Sequence, residues 1–177
     1  MDLAAEVGAR VRALRTERGM SLSELARRSG VGKGTLSELE GGRRNPTLET
    51  LYALTTALEL PLSTALHTTG LPAELSGAAV HAVLTERFED AAAVTETYRI
   101  RIRAGAVQES AGHTAGATER IVVLGGTAYV GECAGPPRRV GPGGHAGWAA
   151  DVPHLYRAEE EDVDALLVVR YPRPAVS

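Results

Sequence analysis

The sequence predicts an α+β chain of two domains: an all-α unit of about five helices over residues 1–66, then an all-β unit over residues 78–177. Three observations predict it. In the first part apolar residues recur at helical spacing, as in Val7, Val11 and Leu14, then Leu22 and Leu25, then Leu51, Leu54 and Leu58. In the second they alternate, most plainly in Tyr98-Arg99-Ile100-Arg101-Ile102-Arg103, where apolar and charged residues take opposite faces of a strand. Gly and Pro also punctuate that half at short intervals, as in Gly125-Gly126 and Gly141-Pro142-Gly143-Gly144. Residues 67–77 mix Thr, Gly, Pro and Ser without a period and are expected to form a linker.

Composition narrows the class. A hydrophobic fraction of 44% and a mean hydropathy of −0.09 describe a globular chain, neither disordered nor membrane-spanning. The single cysteine, Cys133, excludes an internal disulfide framework and a cysteine-based zinc site. With 19 basic and 22 acidic residues, a uniformly basic nucleic-acid binder is excluded. Nine basic residues face eight acidic ones up to Gly70, and ten face fourteen beyond it, so the acidity belongs to the second half. The first residues lack the apolar run of a signal peptide, and no stretch reaches the ~20 apolar residues of a membrane span. A cytoplasmic protein without membrane contact is expected.

The first helix is expected over about Leu3 to Glu17, stopped by Gly19. Ser21-Leu22-Ser23-Glu24 reads as a capping box in which Ser21 and Glu24 satisfy each other's backbone donors. That second helix ends near Ser29-Gly30, and a third runs from about Lys33 to Glu40. Two short helices about a tight Gly turn, with Val31 to plug between them, describe a helix-turn-helix. Asn45-Pro46-Thr47 restarts the chain with Thr47 as N-cap and Glu49 near the positive end of the helix dipole.

Ser21-Leu22-Ser23-Glu24-Leu25-Ala26, Gly30-Val31, Leu36-Ser37-Glu38-Leu39-Glu40-Gly41 and Arg43-Arg44-Asn45-Pro46-Thr47-Leu48 resemble the xenobiotic-response-element, or Cro/C1-type, helix-turn-helix family over about Val7 to Leu66. The resemblance implies double-stranded DNA as partner, the Lys33–Glu40 helix in the major groove, and an internal ion pair between Arg15 and Glu40. Leu22 stands where the family often has a DNA-touching Gln, and Gly32 where a Ser or Thr cap is usual. The candidate DNA-binding residues are Ser21, Ser23, Lys33, Gly34, Thr35, Ser37, Glu38, Arg43, Arg44 and Asn45. Lys33, Thr35, Ser37 and Glu38 sit in the part of a recognition helix that meets base edges; Lys can donate to guanine and Glu can accept from cytosine. Arg43 and Arg44 are placed to neutralise phosphates and set register. Gly34 costs this helix about 1 kcal/mol relative to Ala.

Strands are expected near 79–86, 95–104, 119–124, 127–132, 145–150, 153–158 and 164–171, enough to close a small antiparallel barrel. His113, Glu119 and Gly126, followed by Gly144, Pro153 and His154, resemble the two motifs of the cupin superfamily over roughly residues 95–171. This implies a small cupin barrel, a double-stranded β-helix, acting as sensory and dimerisation domain. The family's second His is replaced by Ala115, Ala149 and Asp151 replace a usual Pro and Gly, and His145 stands where an Asp often follows Gly144.

Metal-binding cupins use three His and one Glu; this chain keeps His113, Glu119 and His154. Two imidazoles and a carboxylate suffice for a 2-His-1-carboxylate iron site or a catalytic-type zinc site. With one ligand replaced by Ala, no metal cofactor is assigned, and His113, Glu119, His154 and Tyr156 are taken as the effector pocket, with a divalent metal as the alternative. The other features are structural readings: neither Gly-rich turn precedes a helix, Glu159-Glu160-Glu161-Asp162 reads as a solvated turn, and Arg99, Arg101 and Arg103 as an exposed face. Cys133 lacks any signature of a lowered pKa.

The expected function is a homodimeric, sequence-specific transcriptional regulator of the bacterial helix-turn-helix–cupin layout, sensing a small-molecule effector, with no catalytic residue. The rival is a metal-dependent cupin enzyme, resembling the mononuclear-iron epoxidases and oxygenases of this layout, that carries an accessory helix-turn-helix. His113, Glu119 and His154 are where the two diverge.

Overall fold

The computed structural model describes residues 3–66 and 74–173, and the chain divides after residue 73 into two compact units. The helical unit contains α1 (Leu3–Glu17), α2 (Leu22–Ser29), α3 (Lys33–Glu40), α4 (Leu48–Ala57) and α5 (Leu62–Leu66). Of the apolar set read from the spacing, Val7, Val11, Leu14, Leu25, Leu51, Leu54 and Leu58 are buried and Leu22 is half-buried; Leu36, Leu39 and Leu62 complete the core. Gly8 lets α1 lie against the end of α3, since a Cβ there would sit 2.0 Å from the Leu39 carbonyl oxygen. Gly30 ends α2 at φ 70°, a left-handed conformation that glycine adopts without steric cost.

The caps agree with the sequence in all but one detail. Thr47 accepts from the Thr50 N–H, and the Ser21 hydroxyl accepts from the Glu24 N–H at 3.1 Å. The reciprocal half of the capping box does not form: the Glu24 carboxylate accepts instead from Arg27 and Arg28, at 2.9 and 2.7 Å. Two cations one turn further along the helix outcompete a neutral backbone N–H for that anion. Gly32, as expected of a residue without a side chain, gives α3 no side-chain cap.

The β unit contains β1 (Glu74–Ser76), β2 (Val80–Glu89), β3 (Ala93–Ile102), β4 (Val107–Ser110), β5 (Thr118–Gly125), β6 (Ala128–Glu132), β7 (Arg138–Val140), β8 (His145–Ala149), β9 (His154–Ala158) and β10 (Val163–Pro172). They form two antiparallel sheets, ordered β1-β2-β3-β10-β5-β8 and β4-β9-β6-β7, rather than one closed barrel. The last strand lies between β3 and β5, so strands distant in sequence meet mid-sheet, as in a jelly roll. The expected strands all form, with shifted ends. The sequence reading lacks β1, β4 and β7, of three, four and three residues, too short to show a period.

Residues 67–73 of the expected linker lie outside the described residues. Its last part is a correction: Glu74–Ser76 pair with His81–Val83 as a strand. No helix among the described residues is long and apolar enough to cross a membrane.

Candidate functional site

Two places gather the candidate residues, one in each unit. In the helical unit, α3 buries Leu36 and Leu39 completely and turns Lys33, Gly34, Ser37 and Glu38 to solvent, with Thr35 half-buried. Ser21 and Ser23 near the start of α2, and Arg43, Arg44 and Asn45 after α3, are exposed as well. Val31 is half-buried in the turn between the two helices. Arg44 lies 3.5 Å from Glu38, an exposed pair of little energetic weight that either partner can leave for a new contact.

An ion pair holds α3 in place. Arg15 of α1 donates from Nε and Nη2 to the two carboxylate oxygens of Glu40, at 2.7 and 2.8 Å, and from Nη1 to the Met20 carbonyl at 2.8 Å. One guanidinium thus joins α1, the last residue of α3 and the segment before α2. The Glu40 hydrogen bond raises the Arg15 pKa further, against the opposing effect of burial.

In the β unit, His113, Glu119 (β5) and His154 (β9) meet inside the jelly roll with their side chains at most 1% exposed. The inward alternation of β5 and β9 puts Glu119 and His154 there, along with Tyr156. Their ligand-type atoms all lie within 4.8 Å of one another. His113 Nε2 is 2.8 Å from Glu119 Oε1, and the Tyr156 hydroxyl donates to Glu119 Oε2. His154 Nδ1 is 2.9 Å from the Val152 carbonyl, which can only accept, so that nitrogen carries the hydrogen. When the ring is neutral its lone pair is at Nε2, which is buried, without a hydrogen bond among the described residues, and 3.5 Å from Glu119 Oε2. Burial pushes the Glu119 carboxyl up, but the His113 hydrogen bond, the charges of His154 and His113 and the Tyr156 hydroxyl together hold it below the usual carboxylate range.

A carboxylate oxygen facing an imidazole lone pair calls for a positive charge between them, a proton or a metal ion. The donor set fits a divalent cation: a backbone carbonyl orients one imidazole, and the free nitrogen points at the carboxylate. No fourth donor joins them in the positions the sequence offers, since Ala115 lies in an exposed turn and His145 is exposed on β8.

Glu96, which belongs to neither motif, is fully buried on β3 and accepts from the Tyr98 hydroxyl. Its signal was present, because the alternation through Tyr98, Ile100 and Ile102 places residue 96 on the inner face. Arg99, Arg101 and Arg103 are exposed as expected, the first two paired with Asp164 and Asp162. Burial, with the charge of Glu109, raises the Cys133 thiol pKa, so this side chain lacks the thiolate character of a redox sensor.

The helix-turn-helix family HTH_3 matches residues 11–64. The chain is 32% identical over 177 residues to the HTH-type transcriptional regulator SutR of Escherichia coli (strain K12), covering 97% of this chain and 98% of that one. A stretch of 58 residues, 33% of this chain and 75% of the relative, is 48% identical to the HTH-type transcriptional regulator y4dJ of Sinorhizobium fredii. The crystal structure of an HTH_3 family transcriptional regulator from Vibrio cholerae has a TM-score of 0.84 at 26% identity, covering 97% of this chain and 98% of that chain. These whole-chain likenesses are to regulators, which sets the regulator reading above the oxygenase one. Its residues, its fold and a relative matched from end to end agree, and the chain belongs to the HTH-type transcriptional regulators, with a Cro/C1-type helix-turn-helix domain followed by a two-sheet jelly roll.

Proposed function

We propose that the chain regulates transcription in the cytoplasm as a homodimer on double-stranded DNA, and that the interior of its β unit takes a small-molecule effector. The exposed face of α3 carries the DNA reading. Lys33, Thr35, Ser37 and Glu38 are offered to base edges from a helix whose other face is clamped by Leu36, Leu39 and the Arg15–Glu40 pair. Ser21, Ser23, Gly34, Arg43, Arg44 and Asn45 then position the backbone. A dimer would read two related half-sites about 34 Å, or a multiple of that, apart.

The His113–Glu119–His154–Tyr156 cluster supports the effector reading, because it is a buried set of polar groups with one nitrogen unsatisfied. The same two His and Glu119 would hold a divalent cation, which would supply a positive anchor for an effector's oxygen atoms. Tyr156 holds one carboxylate oxygen of Glu119, and the Val152 carbonyl keeps the His154 ring oriented. Regulation requires that the effector bind two arrangements of the dimer with different affinity.

The test is a selection of bound sequences from random duplexes with the full-length protein, combined with sedimentation. A recovered two-half-site motif and a dimer at micromolar concentration are expected. No motif would sink the DNA reading, and a monomer would sink the dimer.

A further inference from the structure

The outer face of the six-stranded sheet carries a groove of about 780 Å³, lined by Arg120 of β5, Arg138 of β7, Arg170 of β10 and His145 of β8, with Thr95, Thr118 and Glu119 among its walls. Among the described residues none of these three arginines has an ion pair, whereas Arg87, Arg99, Arg101, Arg157 and Arg173 of the same unit each pair with a carboxylate. Three unpaired guanidinium groups in one concavity of a chain with net charge −3 form a local excess of positive charge.

The backbone makes room for them. Gly147 is the residue of β8 opposite Arg120, and a Cβ there would lie 3.9 Å from Arg120 Nε, so the Arg120 side chain lies over the glycine. Arg138 reaches across from the other sheet and donates to the Gly147 carbonyl oxygen. Two guanidinium groups are thereby fixed at one strand position. Arg170 is in register with Thr95 on one side and Thr118 on the other, which adds hydroxyl donors. The acid that feels the Arg170 charge is Asp90, whose carboxylate is already spent on the Ala92 and Ala93 N–H groups.

We infer that this groove is an oxyanion site, selective for a doubly charged tetrahedral group such as phosphate or sulfate, free or as the head of a small metabolite. Guanidinium donors are forked to match two oxygens at once, and three of them favour a dianion over a singly charged carboxylate. The volume lies within the range of small-ligand sites. The groove shares Glu119 with the interior cluster, but the proposal does not rest on the effector or DNA readings, so it can fail or stand without them.

The experiment is calorimetric titration of the full-length protein, without DNA, with inorganic phosphate, sulfate and acetate at constant ionic strength. Saturable binding of phosphate or sulfate, at least tenfold tighter than acetate, is expected. Arg120→Gln removes one charge-assisted contact and should weaken binding about tenfold or more. Gly147→Val, which fills the space under Arg120, should also weaken it, while Arg99→Gln outside the groove should leave it unchanged. Absence of saturable binding overturns the proposal, and so does binding that survives Arg120→Gln and Arg170→Gln together. If the doubled variant instead turns a dimer into a monomer, and phosphate does not bind the parent protein, the groove is an interface between copies and the proposal falls.

Discussion

Each unit buries a carboxylate, and the two are treated differently. Glu40 is met by a guanidinium whose fork takes both its oxygens, and the remaining nitrogen of that fork is spent on the Met20 carbonyl. Arg is charged at any ordinary pH, so this arrangement is closed, with no valence left for a ligand. Glu119 is met by two imidazoles and a phenol, and the His154 Nε2 beside it has no hydrogen bond among the described residues. That arrangement is open, because it can accept one more positive group. A saturated buried acid therefore marks scaffold, and an unsaturated one marks a site.

The largest effect should come from breaking the closed arrangement. Glu40→Ala leaves the half-buried Arg15 without its partner and removes two charged hydrogen bonds, which together cost about 3 kcal/mol. Urea unfolding followed by helical circular dichroism should show this, with specific DNA binding lost alongside. A change under about 1 kcal/mol would show that the pair is not the clamp described here.

Glu119→Gln should cost less, about 1.5–3 kcal/mol for charged hydrogen bonds replaced by neutral ones, while abolishing any response to effector or added cation. The same open cluster has three donors rather than four, so protein purified without chelator or affinity tag should carry well under one equivalent of metal. One full equivalent of iron or zinc, lost in His154→Ala, would make the cluster a metal centre and sharpen the contrast between the units.

On the exposed face of α3, Glu38→Ala or Ser37→Ala should alter the preferred base at a single position by about 1–3 kcal/mol. Arg43→Ala or Arg44→Ala should instead weaken all sequences alike and reduce the salt-dependence slope by about 1. If the arginine variants change the recovered motif, the division between reading and positioning residues is wrong.

The smallest effect concerns Glu24. Hydrogen bonds from Arg27 and Arg28 lower its pKa to about 2. A depressed folded-state value stabilises above the unfolded carboxylate range, and the contribution is lost as pH falls toward 2. Carboxyl-resonance titration should place the midpoint there. A midpoint near 4 would mean that the exposed pairs do not persist in solution.

Sequence alone determined the helical unit almost completely, because its stabilising contacts are local or follow from one period. Spacing set the buried face of each helix, Gly19, Gly30 and Thr47 marked boundaries, and the Arg15–Glu40 pair was available from family resemblance. His113, Glu119 and His154 could likewise be named in advance, though only as positions in a motif. Tertiary structure decided the rest. Short strands such as Glu74–Ser76 and Arg138–Val140 exist because a neighbouring strand offers hydrogen bonds, and no propensity in three residues announces that. Whether Ala115 cost the site a ligand depended on its lying in an exposed turn, and the unpaired trio of Arg120, Arg138 and Arg170 came from three strands of two sheets. These pairings and this cluster depend on partners from other strands, and only folding brings those within reach.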